Sequence, residues 1–136
     1  MFCGGMAVAL QPSINARLAQ KVGILESACI SFAVGTLVLL LVVLISGRGT
    51  VKGIYGAAWW ELTGGILGAI VVSLTILVVP RIGTAATMAA IIAAQLTAAL
   101  ILDHFGLFGF KVLPFDLKRF IGLAFLALGA GLMLRR

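Results

Sequence analysis

Long runs of apolar residues, separated by short polar stretches, follow one another along the whole chain. This pattern predicts five helical segments, at about residues 2–19, 24–45, 57–79, 84–104 and 117–134. Most are long enough to cross a hydrocarbon core of roughly 30 Å at 1.5 Å per residue. The runs lack the alternation of barrel strands, so we expect an all-α integral membrane protein with one five-helix domain over residues 1–136.

The composition supports this interpretation. Hydrophobic residues make up 62% of the 136 residues and charged residues 10%, whereas about a quarter of a soluble domain is charged. The linkers are too short to hold a separate catalytic or ligand-binding domain, so we expect neither an enzyme nor a cofactor. Cys3 and Cys29 lie in apolar runs, which indicates neither a disulfide framework nor a metal site.

The basic residues lie singly or in pairs near the segment ends, a distribution typical of anchoring to a lipid bilayer rather than of binding nucleic acid. With five spans, each side of the membrane receives five of them. One side has Arg48, Lys52, Lys111, Lys118 and Arg119, and the other has Arg17, Lys21, Arg81, Arg135 and Arg136. A protein with one orientation normally has an excess of Lys and Arg in the cytoplasm. We therefore expect insertion in both orientations and an antiparallel homodimer, unless a bias escapes the predicted boundaries.

The first segment carries polar residues in the middle of its apolar run. Gln11 and Asn15 are four residues apart and share one helical face. Pro12 lies between them, removes a backbone donor and is expected to kink the helix. Amides beside a broken backbone ladder are typical of transporter substrate sites, but the same amides could simply bond a neighbouring helix.

A further amide, Gln95, lies near the centre of the fourth segment. In an antiparallel pair, the two copies of Gln11 and Gln95 would lie at similar depth near the membrane midplane. We expect these residues, together with Asn15 and Trp60, to line a substrate pathway. Polar groups at this depth usually face protein or a water-filled cavity.

The acidic residues differ in their positions relative to the predicted helix ends. Glu26 and Glu61 each begin a helix, where the helix dipole favours an anion and a structural role suffices. Asp103 ends a helix, where the dipole disfavours it, so we expect a cationic partner or a functional role. His104 can change charge near neutral pH. These four residues are therefore candidates for a gate or an ion pair, and an interfacial ion pair is the simpler explanation for Asp103.

Glycines mark two candidate packing surfaces. Gly64 and Gly68 belong to a small-residue surface on the third segment, and Gly122 and Gly129 are seven residues apart on the fifth. Such surfaces allow close helix approach, either within one chain or between two.

Several motifs together resemble one known family. They are QPSINARL, ISFAVGTL, WWELTGGILGA, PRIGTAATMAAIIAAQL with DHFGLFG, and GLAFLALGAGLMLRR. In this order they are similar to the small YdcZ-type members of the drug/metabolite transporter superfamily, found in bacterial inner membranes. The resemblance implies a multi-pass inner-membrane protein whose five-helix half-units work as homodimers, heterodimers or fused duplicates.

The resemblance also bears on individual residues. Gln11, Asn15, Gln95 and Asp103 match the family pattern, and the spacing of Gly122 and Gly129 resembles that of the dimerising helix in small multidrug exporters. The first segment lacks the central glutamate with which those exporters exchange protons for cations, and Glu26 stands where an apolar residue or proline is expected. Proton-coupled export of cations by that mechanism is therefore not expected.

The resulting hypothesis is a half-transporter that moves a small polar metabolite or drug-like molecule by alternating access as a dual-topology dimer. The alternative is a membrane subunit that does not transport, or a half-transporter that requires a paralogous partner. An intramembrane enzyme using Asp103 and His104 is a third possibility, but no second catalytic group stands at a convincing spacing.

Overall fold

The computed structural model describes residues 1–47, 51–109, 111–113 and 116–134. Over these residues the chain is helical. The helices are α1 (Phe2–Val22), α2 (Ile24–Ser46), α3 (Gly64–Ile82), α4 (Thr84–Phe105) and α5 (Leu117–Leu134). Short 3-10 helices occupy Val51–Gly56, Trp59–Thr63 and Leu107–Gly109. The expectation of an all-α protein is confirmed.

Single glycines separate two pairs of consecutive helices. Gly23 lies between α1 and α2 with φ 105°, and Gly83 lies between α3 and α4 with φ 87°. These backbone angles are unfavourable for residues with a Cβ, so a glycine is required at both joints. The chain can therefore leave one helix and begin the next within one residue.

The third segment differs from the expected span of residues 57–79. The α-helix begins at Gly64, after the 3-10 helix Trp59–Thr63, and it continues through Pro80 to Ile82. Pro80 lies one residue beyond the predicted segment, yet it does not end the helix. The φ of proline suits a helix, although its missing N–H and its ring disturb the preceding turn; the helix ends two residues later at Ile82, and Gly83 provides the turn.

The structure divides into two compact units, Met1–Arg81 and Ile82–Arg136. In the first unit α1 packs against α2. Phe32 of α2 also covers Gly68 of α3, where an added Cβ would lie 3.4 Å from the Phe32 ring. Gly68 is thus used for packing inside the chain, whereas a Cβ on Gly64 would meet no atom within 4 Å.

In the second unit α4 packs against α5. Gly122 and Gly129 both lie on the seam between these helices, where each lines a groove. An added Cβ at either glycine would meet no atom of the described residues within 4 Å. The structure therefore places both glycines beside a helix of the same chain, with open space next to them.

Among the residues that the structure describes, four stretches are long and apolar enough to cross a membrane: Ile24–Ser46, Trp59–Ile82, Thr84–Phe105 and Leu117–Leu134. The remaining helix, α1, has 21 residues, about 31 Å at 1.5 Å per residue. This length is sufficient to cross a membrane, but the polar residues of α1 lower its mean hydropathy, so it is not among the four stretches. A fifth span through α1 therefore stays a prediction.

Candidate functional site

A polar seam joins α1 and α2. Asn15 is 5% exposed and Ser27 is fully buried, and the Ser27 hydroxyl donates a hydrogen bond of 2.8 Å to the Asn15 backbone carbonyl. Gln11 lies one turn earlier on α1 and Ser31 one turn later on α2. Because the two helices run in opposite directions, Asn15 lies beside Ser27, and Gln11 lies beside Ser31 one helical turn away. We call these four residues the polar seam.

Gln11 opens into a groove beside this seam. The groove has a volume of about 220 Å³ and is lined by Gln11, Ser31, Phe32, Gly35, Thr36 and Leu39. All six residues are uncharged, and three of them carry an amide or a hydroxyl. The groove can therefore offer hydrogen bonds to a small polar molecule without offering a counter-charge.

The side-chain amide nitrogen of Asn15 is the unusual feature of the seam. It is buried, and among the described residues it has no hydrogen-bond partner. Leaving such a donor unpaired costs about 1–3 kcal/mol, and buried polar groups without partners are rare. The Asn15 amide is therefore available to bind an acceptor that comes from outside the described chain.

Pro12 is buried between Gln11 and Asn15. The helix assignment runs through it from Phe2 to Val22 without a break. As a proline, Pro12 cannot donate to the carbonyl one turn earlier, that of Val8. An additional backbone acceptor therefore lies close to the polar seam, and a kink at Pro12 stays a prediction.

A second groove lies on the other side of α2, towards α3. It measures about 550 Å³ and is lined by Leu25, Ala28, Cys29, Phe32, Ala33, Thr36, Gly65, Ala69 and Ser73. Phe32 and Thr36 belong to both grooves. The Phe32 ring is therefore a wall between the groove beside the polar seam and this second groove, whose lining is mostly apolar.

Gln95 lies at the centre of α4, as expected, and its side chain is exposed. It lies one turn before Ala99, at the edge of the α4 face that packs against α5. Trp60 is the other predicted pathway residue outside α1, and that role stays a prediction. It lies in the 3-10 helix before α3, at the end of the span, and its side chain is 42% exposed.

The candidate gating residues lie near helix ends. The Ala58 N–H donates to Glu61 Oε2 at 2.8 Å, and the Glu26 carboxylate lies against Gly23 in the first turn of α2. Both acids thus stabilise the beginning of a helix. His104 packs edge-to-face against Phe105, with ring centroids 5.0 Å apart.

Asp103 has a cationic neighbour. Arg119 Nη1 lies 3.4 Å from Asp103 Oδ2, and the two side chains are 40% and 44% exposed respectively. The Asp103 backbone carbonyl also accepts a 2.9 Å hydrogen bond from the Leu113 N–H. Asp103 therefore connects the end of α4 to the beginning of α5 and to the segment between them.

Ser27 and Ser31 were not among the predicted site residues. The signal that could have found them is their spacing of four residues in the largely apolar α2, matching the spacing of Gln11 and Asn15. As for metals, the described residues contain no cluster of three or more His, Cys, Asp or Glu suited to a metal ion. Cys3 and Cys29 are free and exposed.

Comparisons with known proteins bear on what this site serves. Neither the curated proteins nor the solved structures gave a match. The profile of one protein family, described as "Putative inner membrane exporter, YdcZ", matches residues 1–132. Together with the four helices long and apolar enough to span a membrane, this match makes the protein a multi-pass protein of the inner membrane, and the description of the family indicates a transporter. Matched over nearly its full length, the chain belongs to the YdcZ family of inner-membrane exporters.

Proposed function

We propose that the chain is half of an exporter that moves a small polar molecule by alternating access, with the polar seam as its substrate site. Two copies pair in antiparallel orientation to complete the transporter, and rocking of one half against the other exposes the site alternately to the two sides. The observation that carries this proposal is the buried amide nitrogen of Asn15, which has no hydrogen-bond partner in the described part of the chain.

The Asn15 amide nitrogen lacks a hydrogen-bond acceptor among the described residues. A helix that needed only to pack in lipid would be more stable with an apolar residue at this position, because the amide donor is buried without an acceptor. A substrate carbonyl, carboxylate or hydroxyl oxygen would supply that acceptor. The cost of the unpaired amide is then offset when substrate binds.

The groove suggests the class of substrate. Its lining residues are uncharged, so a strongly cationic drug would lose its hydration without gaining a counter-charge. A neutral or zwitterionic molecule with hydroxyl, amide or carbonyl groups matches Gln11, Ser31 and Thr36. The acids Glu26 and Glu61 act at helix starts and Asp103 pairs with Arg119, so uniport is favoured over proton antiport.

Two observations support pairing with a second half. The basic residues divide equally between the two sides, although this count rests on the sequence, since Arg48, Arg135, Arg136 and the Lys52 side chain lie outside the described residues. In addition, only 6–17% of the most apolar window of each spanning helix is buried within the chain. The helices therefore leave most of their surface for lipid and for a partner.

Gln95 is proposed as a further pathway residue because it is central in α4 and exposed. Its test is Gln95→Leu, compared with Thr97→Val as a control on the same helix. The Thr97 hydroxyl already bonds the Ala93 carbonyl of its own helix at 2.8 Å, so its loss should leave transport unchanged. Trp60 is proposed to act at the mouth of the pathway.

Topology is tested by fusing two reporters after Arg136, one active only in the cytoplasm and one active only outside it. Comparable activity of both would support dual insertion. Activity of one reporter alone would contradict the homodimer and favour the alternative, a half-transporter that requires an oppositely oriented paralogue. In that case both chains would have to be reconstituted together.

Transport is tested in liposomes that contain the purified chain and a defined mixture of amino acids, amino alcohols, polyols and quaternary ammonium compounds. Efflux of each solute is measured by mass spectrometry. We expect efflux of neutral or zwitterionic solutes. Efflux should fall at least about tenfold in Asn15→Leu and stay unchanged in Thr75→Val, whose buried hydroxyl donates to the Val72 carbonyl of its own helix at 2.8 Å. Efflux of quaternary ammonium compounds alone would contradict the proposed substrate class, and efflux of none would favour a non-transporting subunit.

A further inference from the structure

The seam between α4 and α5 contains two grooves in succession. The first, of about 420 Å³, has Asp103 and Arg119 at one end, and its other lining residues, among them Leu100 and Gly122, are apolar. The second, of about 370 Å³, continues along the same helices and is lined wholly by apolar residues, including Phe125 and Gly129. We call them the charged groove and the apolar groove.

The dimensions of the two grooves suit a lipid chain. From Asp103 to Ala89 on α4 the seam is ~21 Å long at 1.5 Å per residue. One leaflet of the hydrocarbon core is about 15 Å thick, half of roughly 30 Å. A molecule with its head at the level of Asp103 would therefore place one acyl chain along the charged groove and the beginning of the apolar groove.

The two charges lie where a lipid headgroup would meet them. Asp103 is in the last turn of α4 and Arg119 in the first turn of α5, so both lie at the ends of the spans. Their ion pair is 3.4 Å long and its side chains are 40% and 44% exposed, longer than the 2.7–2.9 Å of a strong charged hydrogen bond. Half-exposed and loosely paired, both groups can bind a second molecule.

The arrangement of charge also specifies the headgroup. Each charge is at the end of its helix that the dipole disfavours, since an anion is less stable at a C-terminus and a cation at an N-terminus. A ligand ammonium beside Asp103 and a ligand phosphate beside Arg119 would place the opposite charge next to each residue and next to each helix end. A headgroup with both charges matches the pair better than an anionic headgroup does.

We propose that the α4–α5 seam binds one molecule of phosphatidylethanolamine, with its ammonium on Asp103, its phosphate on Arg119 and one acyl chain along the two grooves. The ammonium of this lipid has N–H donors, which the trimethylammonium of phosphatidylcholine lacks. Phosphatidylglycerol has the phosphate but no ammonium. Comparison of the three lipids therefore separates the contributions of the two charges.

The test is native mass spectrometry of the full chain in detergent, titrated separately with the three lipids carrying identical acyl chains. We expect one phosphatidylethanolamine per chain, retained at least about tenfold more tightly than the other two, because hydrogen bonds between charged groups are worth a factor of this size. Asp103→Asn should reduce the affinity for phosphatidylethanolamine to that for phosphatidylglycerol. Arg119→Gln should weaken binding of all three lipids, whereas Lys118→Gln, at the preceding residue, should not.

Filling the groove gives an independent test. Gly122→Leu adds a side chain where a Cβ meets no atom within 4 Å, so the helix can accept it, and it should displace the lipid. Gly131→Leu is the matched control, because Gly131 is exposed on the other side of α5 and is equally unhindered. Equal retention of the three lipids, or equal loss in the two leucine variants, would overturn the proposal.

A second copy of the chain is the other occupant that could cover this seam. Cross-linking of Gly122→Cys between two chains, with no lipid retained, would show that occupant and overturn the proposal. Asp103→Asn or Arg119→Gln could lose helix content, which circular dichroism would show. In that case the proposal is still tested by comparing the three lipids on the unaltered chain and by comparing the two leucine variants.

Discussion

Asn15→Leu should separate stability from transport. The substitution replaces a side chain that is 5% exposed by an apolar one with the same branching, and it removes the unpartnered amide nitrogen. An unsatisfied buried donor costs about 1–3 kcal/mol, and polar contacts inside membranes average less than 1 kcal/mol. We therefore expect the free energy of unfolding to stay equal or to rise by about 1 kcal/mol.

The link between α1 and α2 should survive this change. The hydrogen bond from Ser27 goes to the backbone carbonyl of residue 15, not to its side chain, so leucine leaves it in place. Stability is measured by equilibrium denaturation in mixed micelles, followed by circular dichroism. Efflux from liposomes is measured on the same preparation, and we expect it to fall at least about tenfold, the effect of losing about 1.4 kcal/mol of binding.

Two results would contradict the proposed role of Asn15. A loss of about 1 kcal/mol or more in stability would show that the amide has a structural partner, since removal of an unsatisfied group should not destabilise the protein. Unchanged efflux in a stable variant would show that Asn15 does not bind the substrate. If efflux falls and the variant no longer gives a cross-linked dimer, the Asn15 amide belongs to the contact between the two chains.

Three further variants test other contacts in the first unit. Ser27→Ala should lower the free energy of unfolding by about 1 kcal/mol, because it removes the buried 2.8 Å bond to Asn15; unchanged denaturation would contradict this role. Phe32→Ala should join the two grooves on either side of α2 and admit larger solutes in the efflux assay, whereas an unchanged size limit would show that the ring is not a wall. Glu61→Ala should cost about 1 kcal/mol through loss of the bond from the Ala58 N–H, with efflux unaffected; a loss of transport at full stability would give Glu61 a functional role instead.

Most of the helical architecture could be predicted from the sequence. Apolar runs of sufficient length must be helical in lipid, because their backbone groups have no water to bond. The predicted segments therefore coincide with α1, α2, α4 and α5 apart from a few residues at their ends. The third was less accurate, because hydropathy does not distinguish the 3-10 helix Trp59–Thr63 from the α-helix that follows it.

The candidate site could be predicted in part. Gln11 and Asn15 stood out because an amide in an apolar run is costly. Ser27 and Ser31 did not, because a hydroxyl can bond its own helix and so seems unremarkable. The family was also predicted from the order of the motifs, and the match over residues 1–132 confirms it, as it confirms the location in the inner membrane.

Hydropathy along the chain is enough to predict that this protein is helical, lies in a membrane, and carries amides at the centre of two helices. Which residues meet across the helices is visible only in the folded chain: Ser27 with Asn15, Phe32 with Gly68, and Arg119 with Asp103. In water, an apolar stripe shows which face of a helix is buried. In lipid every face can be apolar, so contacts between helices depend on packing and hydrogen bonds, which appear only when the helices are placed side by side.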